Sequence, residues 1–227
     1  MNQHGLIPIM QKKRLLNVLP PCEKVRKVFH LFRMILEELE RDKAAHFATN
    51  KTYLDAQAII IREGKQVNGE KMVGIVPGVE VGNEFQFKVE LNIIGLHFYL
   101  SGGIDFMNIE GLDLATSVVA SEGTGYNDIF DSNVVIYCGE GMCLKSKNPK
   151  VIEDQKMTKG NLSLVNSMIT KSPVRVISGR KRMNQKRKQY VYEGLYLVKR
   201  YWEEQGPLGN NVFKFKLQRL PGQASIH

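Results

Sequence analysis

From Gly78 onward the chain is a series of short segments in which apolar and polar residues alternate, separated by clusters of glycine, asparagine, aspartate and proline. No other feature constrains the fold as much, because a period of two puts every second side chain on one face of a strand. The runs are Glu84–Leu91, Ser117–Ala120, Asn133–Tyr137, Val174–Ile177, Tyr190–Tyr192, Leu195–Val198 and Val212–Leu217. Turn chemistry lies between them at Gly102-Gly103, Gly123-Thr-Gly, Gly139-Glu-Gly, Ser172-Pro and Gly206-Pro-Leu-Gly. Many short strands joined by such turns predict a sandwich or a barrel. A short helix over Asn161–Met168 interrupts the series.

The residues before Gly78 follow a different period. Val25, Val28, Phe29, Phe32, Leu36 and Leu39 recur at helical spacing, and Lys24, Arg26, Lys27, Arg33, Glu37, Glu38 and Arg41 occupy the opposite face. An amphipathic helix of this kind packs on a core, and a partner-binding helix has the same pattern. A second helix from Tyr53 to Arg62 is expected to stop at Gly64, where positive φ is tolerated. The expected organisation is a flexible leader over 1–20, a helical preface over 21–68, a mostly β domain over 69–223 and a tail over 224–227. The fold class is thus α+β, mostly β.

Composition narrows the function. With 43% hydrophobic and 24% charged residues the chain can bury a sizeable core. No apolar stretch reaches the roughly 18 residues of a membrane span, and Met1–Arg14 has no apolar region of the secretory kind. An excess of 32 Lys+Arg over 23 Asp+Glu gives +9, which fits a polyanionic partner such as nucleic acid; a merely basic soluble protein has the same balance. The cysteines Cys22, Cys138 and Cys143 contain no Cys-x-x-Cys and lack a nearby histidine, so a reduced intracellular protein without structural zinc is expected. Neither Gly-x-Ser-x-Gly, a P-loop nor His-Glu-x-x-His occurs, and Gly78-Val-Glu-Val-Gly-Asn precedes a strand where a dinucleotide fingerprint would follow one. The reading is non-enzymatic, with no cofactor and no metal.

Two features bear on binding. Between Lys171 and Lys188 lie Arg175, Arg180, Lys181, Arg182, Lys186 and Arg187 without an acidic residue. Phosphate contacts need such unopposed cations. A DNA-facing loop, a nuclear localisation signal and a solvated hairpin all fit the run. The second feature is Gly123-Thr-Gly-Tyr-Asn-Asp followed by Asn133-Val-Val-Ile-Tyr-Cys. Two rings and a carboxylate can hold a flat base and accept from its amino group; a turn aspartate and a core tyrosine have the same signature.

Several blocks, in order, resemble the SRA (YDG) domain, in the version found in plant SUVH-type histone methyltransferases. They include Ile75-Val-Pro-Gly-Val-Glu-Val-Gly-Asn, Gly103-Ile-Asp, Leu114-Ala-Thr-Ser-Val-Val-Ala-Ser, Val135-Ile-Tyr-Cys-Gly, Ser172-Pro-Val-Arg-Val-Ile and Val191-Tyr-Glu-Gly-Leu-Tyr. The resemblance covers roughly residues 70 to 223 and implies a twisted, partly barrel-like β domain that binds double-stranded DNA carrying 5-methylcytosine and flips the modified base into a pocket. It assigns Tyr126 and Tyr137 as stacking rings, Asp128 as acceptor for the cytosine amino group, Gly103 and Cys138 as pocket wall, and Ser101 as the thumb that fills the gap left by the base. Lys145, Lys147 and Lys150 match the finger loop. With Lys171, Arg175, Arg180, Lys181 and Arg182 they are the expected phosphate contacts. The thumb is usually glutamine in plant relatives and is Ser101 here; the His-Arg-Pro before it reads His97-Phe-Tyr, and the eponymous Tyr-Asp-Gly reads Tyr192-Glu-Gly. The expected function is a nuclear reader of methylated DNA in a chromatin setting, with histone-modifying proteins and a second copy of the chain as further candidate partners. The alternative is a protein-interaction or dimerisation module that no longer flips a base and docks through the helix Glu23–Arg41.

Overall fold

The computed structural model describes residues 19–46, 51–121, 128–131, 133–141, 153–181, 188–207 and 209–225. The expected leader up to residue 18 lies outside them.

Helix α1 (Pro21–His46) opens with proline at its first position, where the missing N–H leaves no bond unmade. Val25, Val28, Phe32 and Leu36 are buried. Phe29 meets Phe85 with ring centroids 5.8 Å apart, and Phe32 meets Phe87 at 6.1 Å. The apolar face is therefore consumed by the core, and only the charged face of the helix is left to meet a partner. Helix α2 (Thr52–Arg62) ends before Gly64, whose φ is +60°. It packs against α1 and against α3 (Lys88–Ile93).

Helix α3 corrects the expected strand over Glu84–Leu91. Only β1 (Glu84–Phe85) pairs, with Tyr190 and Val191, and the chain then turns helical. The Glu90 carboxylate causes the switch locally: it reaches back to accept from the Gln86 and Phe87 backbone N–H groups, at 2.5 and 2.8 Å, supplying acceptors for otherwise orphaned donors. Val89, Leu91 and Ile93 are buried along with the polar residues between them, so alternation here did not mark a two-faced strand.

The remaining strands are β2 (Ile104–Ile109), β3 (Leu112–Ser121), β4 (Ile129–Asp131), β5 (Val134–Cys138), β6 (Val174–Lys181), β7 (Lys188–Gln205) and β8 (Asn211–Arg219), with α4 (Lys159–Thr170) before β6. They form one eight-stranded sheet in the order β2-β3-β6-β7-β8-β5-β4, with β1 added to β7. All pairs are antiparallel except β3 with β6, whose parallel register is made possible by the crossover through α4. The two short strands expected at Tyr190–Tyr192 and Leu195–Val198 are one strand, β7, which bends through Gly194 at φ +107°.

The sheet is covered on both faces. Val119, Ile177 and Tyr192 face the helices α1–α3, in one core with Phe32, Ile60 and Leu91. Val118, Val176, Tyr196 and Phe215 face the other way, with Leu164 of α4. The helical preface is thus part of the same core as the β domain.

Candidate functional site

The C-terminal ends of β3 and β5 and the start of β7 meet at a cavity of about 460 Å³, lined among others by Ser101, Gly103, Asp128, Tyr137, Cys138 and Tyr190. Asp128 holds the two strand ends together. Its Oδ2 accepts from the Ser121 N–H at the end of β3 and its Oδ1 from the Cys138 N–H at the end of β5, both at 2.9 Å. Since β6, β7 and β8 lie between these strands in the ladder, the sheet must curl back on itself to bring both to one carboxylate. Burial pushes the Asp128 pKa above the ordinary carboxylate range, against the two N–H donors and the nearby Lys214 and Lys188. Each oxygen keeps a lone pair for a further donor.

The ring of Tyr137 is buried at the floor. Burial, reinforced by Asp128 and Glu140, drives its phenol pKa well above normal, so it stays an uncharged hydroxyl. Gly103 is required beside it, because a Cβ there would stand 2.5 Å from the Tyr137 hydroxyl. Cys138 is buried; its thiol is pushed up to about 11 by desolvation, which makes it an inert, small wall residue.

Ser101 is exposed on a loop that three side chains anchor. Oε1 of Glu140 accepts from the Gly103 and Ile104 N–H groups at 2.6 and 2.7 Å. Lys88 donates to the Gly102 carbonyl at 2.5 Å, with its own pKa lowered by burial to about 8. His97 Nε2 lies 2.9 Å from the Tyr99 carbonyl, and Nδ1 lies 2.8 Å from the Ser117 hydroxyl. Carbonyls only accept, so Nε2 carries the proton and Nδ1 receives the Ser117 hydrogen. Desolvation holds the His97 pKa down at about 4, and the ring is neutral. Lys88, Glu140, Tyr99 and Tyr190 line the site without having been assigned to it from sequence, and Lys188, the end of the basic run, lines it too. Lys88 was hidden in the misread strand, and Glu140 in a turn with no motif around it.

The structure brings Ser101, Gly103, Asp128, Tyr137 and Cys138 together. Tyr126, Lys145, Lys147, Lys150 and Arg182 lie outside the described residues, as does the side chain of Lys181. Arg175 is a correction. It is fully buried and donates to the carbonyls of Leu96, Met72 and Gly74, so it fastens chain segments inside the protein and cannot reach a phosphate. Lys171 is exposed at the left-handed end of α4 ahead of β6, with Val174 to Gly179 (roughly 17 Å of strand) between it and the cavity, so it does not line the cavity. Arg180 is half-exposed but not unopposed, since its Nη2 lies 3.3 Å from Glu193. Glu193 also accepts from the Ser178 hydroxyl. The sequence run looked free of acid because the opposing carboxylate comes from the next strand.

A family model for the SAD/SRA domain matches residues 72–223, which include the whole of this cavity. The chain belongs to the SAD/SRA family. A YDG domain-containing protein of Arabidopsis thaliana is 48% identical to it over 220 residues, covering 95% of this chain and 53% of the relative. The H3 lysine-9 specific histone-lysine N-methyltransferase SUVH5 of Arabidopsis thaliana is 43% identical over 215 residues, but the match spans only 27% of that enzyme. Among solved structures, the SRA domain of SUVH5 in complex with fully methylated CG DNA aligns with a TM-score of 0.59 and 48% identity, over 69% of this chain and 100% of that one. KRYPTONITE in complex with mCHH DNA, an H3(1-15) peptide and SAH aligns at 0.82 and 30%, over 92% and 45%. In this SRA domain the name-giving Tyr192-Glu-Gly motif is architectural: Tyr192 is core, Glu193 binds Ser178 and Arg180, and Gly194 takes the bend.

Proposed function

We propose that this SRA domain is a non-enzymatic reader of double-stranded DNA containing 5-methylcytosine, and that it takes the modified base out of the duplex into the Asp128 cavity. The observation that carries this reading is a buried carboxylate fixed by two backbone N–H groups beside a buried tyrosine ring, in a cavity of about 460 Å³. A carboxylate accepts from the amino group at C4 of cytosine and repels the carbonyl that thymine has there. Extrusion costs about a few kcal/mol. Stacking on an aromatic ring returns roughly 1–3 kcal/mol per base, so Tyr137, with Tyr126 as the second ring and Asp128 as acceptor, balances that cost. Ser101 then fills part of the gap in the duplex. Lys145, Lys147, Lys150, Lys181 and Arg182 neutralise phosphates in this reading, and Arg180 does so in part. That related SRA domains are solved with methylated CG and CHH DNA supports the same reading, as it does a nuclear, chromatin setting.

Titration of the protein onto methylated and unmethylated duplexes of one sequence, at several salt concentrations, tests this. Tighter binding to the methylated duplex is expected, with both affinities falling linearly on a log–log plot against salt. Equal affinity for the two duplexes would overturn base capture.

A further inference from the structure

We propose that Tyr99 and the aromatic cavity beside it form a second subsite, which stacks on a base next to the one taken by the Asp128 cavity. The proposal rests on the DNA-reading function above and extends it to a neighbouring nucleotide. Tyr99 is 48% exposed at the rim of the Asp128 cavity, whereas the ring of Tyr137 is buried. Its position is set by the backbone: its carbonyl accepts from His97, and its ring lies so close over Gly102 that a Cβ there would come 2.0 Å from a ring carbon. An exposed aromatic held this way loses little freedom when a flat partner stacks on it.

Tyr99 also lines a second cavity, of about 360 Å³, with Phe98, Phe106, Lys71 and Lys159. The charges there are largely matched. Lys71 lies 2.5 Å from Asp105 Oδ1 and about 6 Å from the Phe98 and Phe106 ring centroids, and Lys159 lines the cavity together with Glu140. Rings with little net charge suit a base face better than a phosphate. Because Tyr99 and Glu140 line both cavities, a strand delivering one base to Asp128 passes the second site on the same loop.

The test uses the full chain with Tyr99→Ala, Tyr99→Phe and Asp128→Ala, on methylated and unmethylated duplexes, with 2-aminopurine placed beside the methylcytosine. Tyr99→Ala is expected to weaken binding to the methylated duplex by about fivefold or more and to abolish stacking-dependent quenching of the 2-aminopurine. Tyr99→Phe, which keeps the ring, restores most of both. Asp128→Ala instead flattens the methylated-over-unmethylated ratio. Thermal melts verify that each variant is folded. Tyr99→Ala binding as tightly as wild type overturns the subsite. If wild type shows no methylation preference, the Asp128 reading falls, and the subsite is judged by the same Tyr99→Ala comparison on the unmethylated duplex. Failure to bind any DNA overturns both.

Discussion

Asp128 and His97 are both buried polar groups, and burial moves their titrations in opposite directions. Desolvation disfavours the charged form of each, so the carboxyl pKa rises and the imidazole pKa falls to about 4. For His97 the consequence can be signed. Between the ordinary value near 6.5 and about 4 the unfolded chain binds more protons than the folded one, so stability falls as pH drops through that window. The full loss is of the order of 3 kcal/mol. Denaturant titrations at pH 7 and pH 5 are expected to show the decline in wild type and a smaller one in His97→Gln. For Asp128, replacement by asparagine turns one oxygen into an NH2 group while both positions face backbone donors. Either Ser121 or Cys138 is left without its acceptor, at about 1–3 kcal/mol, and the preference for methylated DNA is expected to shrink by roughly tenfold. Competition binding with the two duplexes measures the second effect, and a melt the first.

The loop Tyr99–Gly103 behaves as an element because Glu140 clamps it. Two N–H groups share one carboxylate oxygen, and the backbone of Glu140 is itself held by both ends of the Asn161 amide. Glu140→Ala is expected to speed hydrogen exchange at the Gly103 and Ile104 amides by tenfold or more, since charge-assisted bonds are worth about 1.5–3 kcal/mol each. Glu140→Gln, which keeps an acceptor oxygen, is expected to preserve most of the protection. The clamp illustrates what the sequence hides. Val212–Leu217 was legible as a strand because its alternation puts Phe213, Phe215 and Leu217 into one core, although Val212 and Lys214 on the other face are buried as well. Glu84–Leu91 misled because full burial on all sides of α3 erases the difference between periods of two and 3.6. Gly103, Asp128, Tyr137 and Cys138 were legible through the resemblance to the family. Glu140 and Lys88 were not, because their roles arise from contacts across 36 or 37 and 14 residues of chain, which no local pattern encodes.

At the scale of the whole molecule, helices α1–α3 and the sheet form one core, so the chain is expected to unfold in a single calorimetric transition. Phe32 sits wholly buried at that seam. Phe32→Ala is expected to lower the transition by about 3–5 kcal/mol of stability without splitting it; a separate early transition would show that the preface is an independent unit. Arg175 belongs to the same scale for a different reason. Its length and charge mimicked a surface cation in the sequence, yet it is spent inside on carbonyls 79, 101 and 103 positions away.

Those separations also have a temporal meaning. A contact that closes a loop of about a hundred residues costs more loop-closure entropy than a local one, and folds rich in such contacts are slow. The guanidinium meets all three of its carbonyls only when β6, Leu96 and the segment at Met72–Gly74 are in place together. Stopped-flow kinetics of Arg175→Met are expected to show the loss as faster unfolding with little change in folding rate, the signature of bonds made after the transition state.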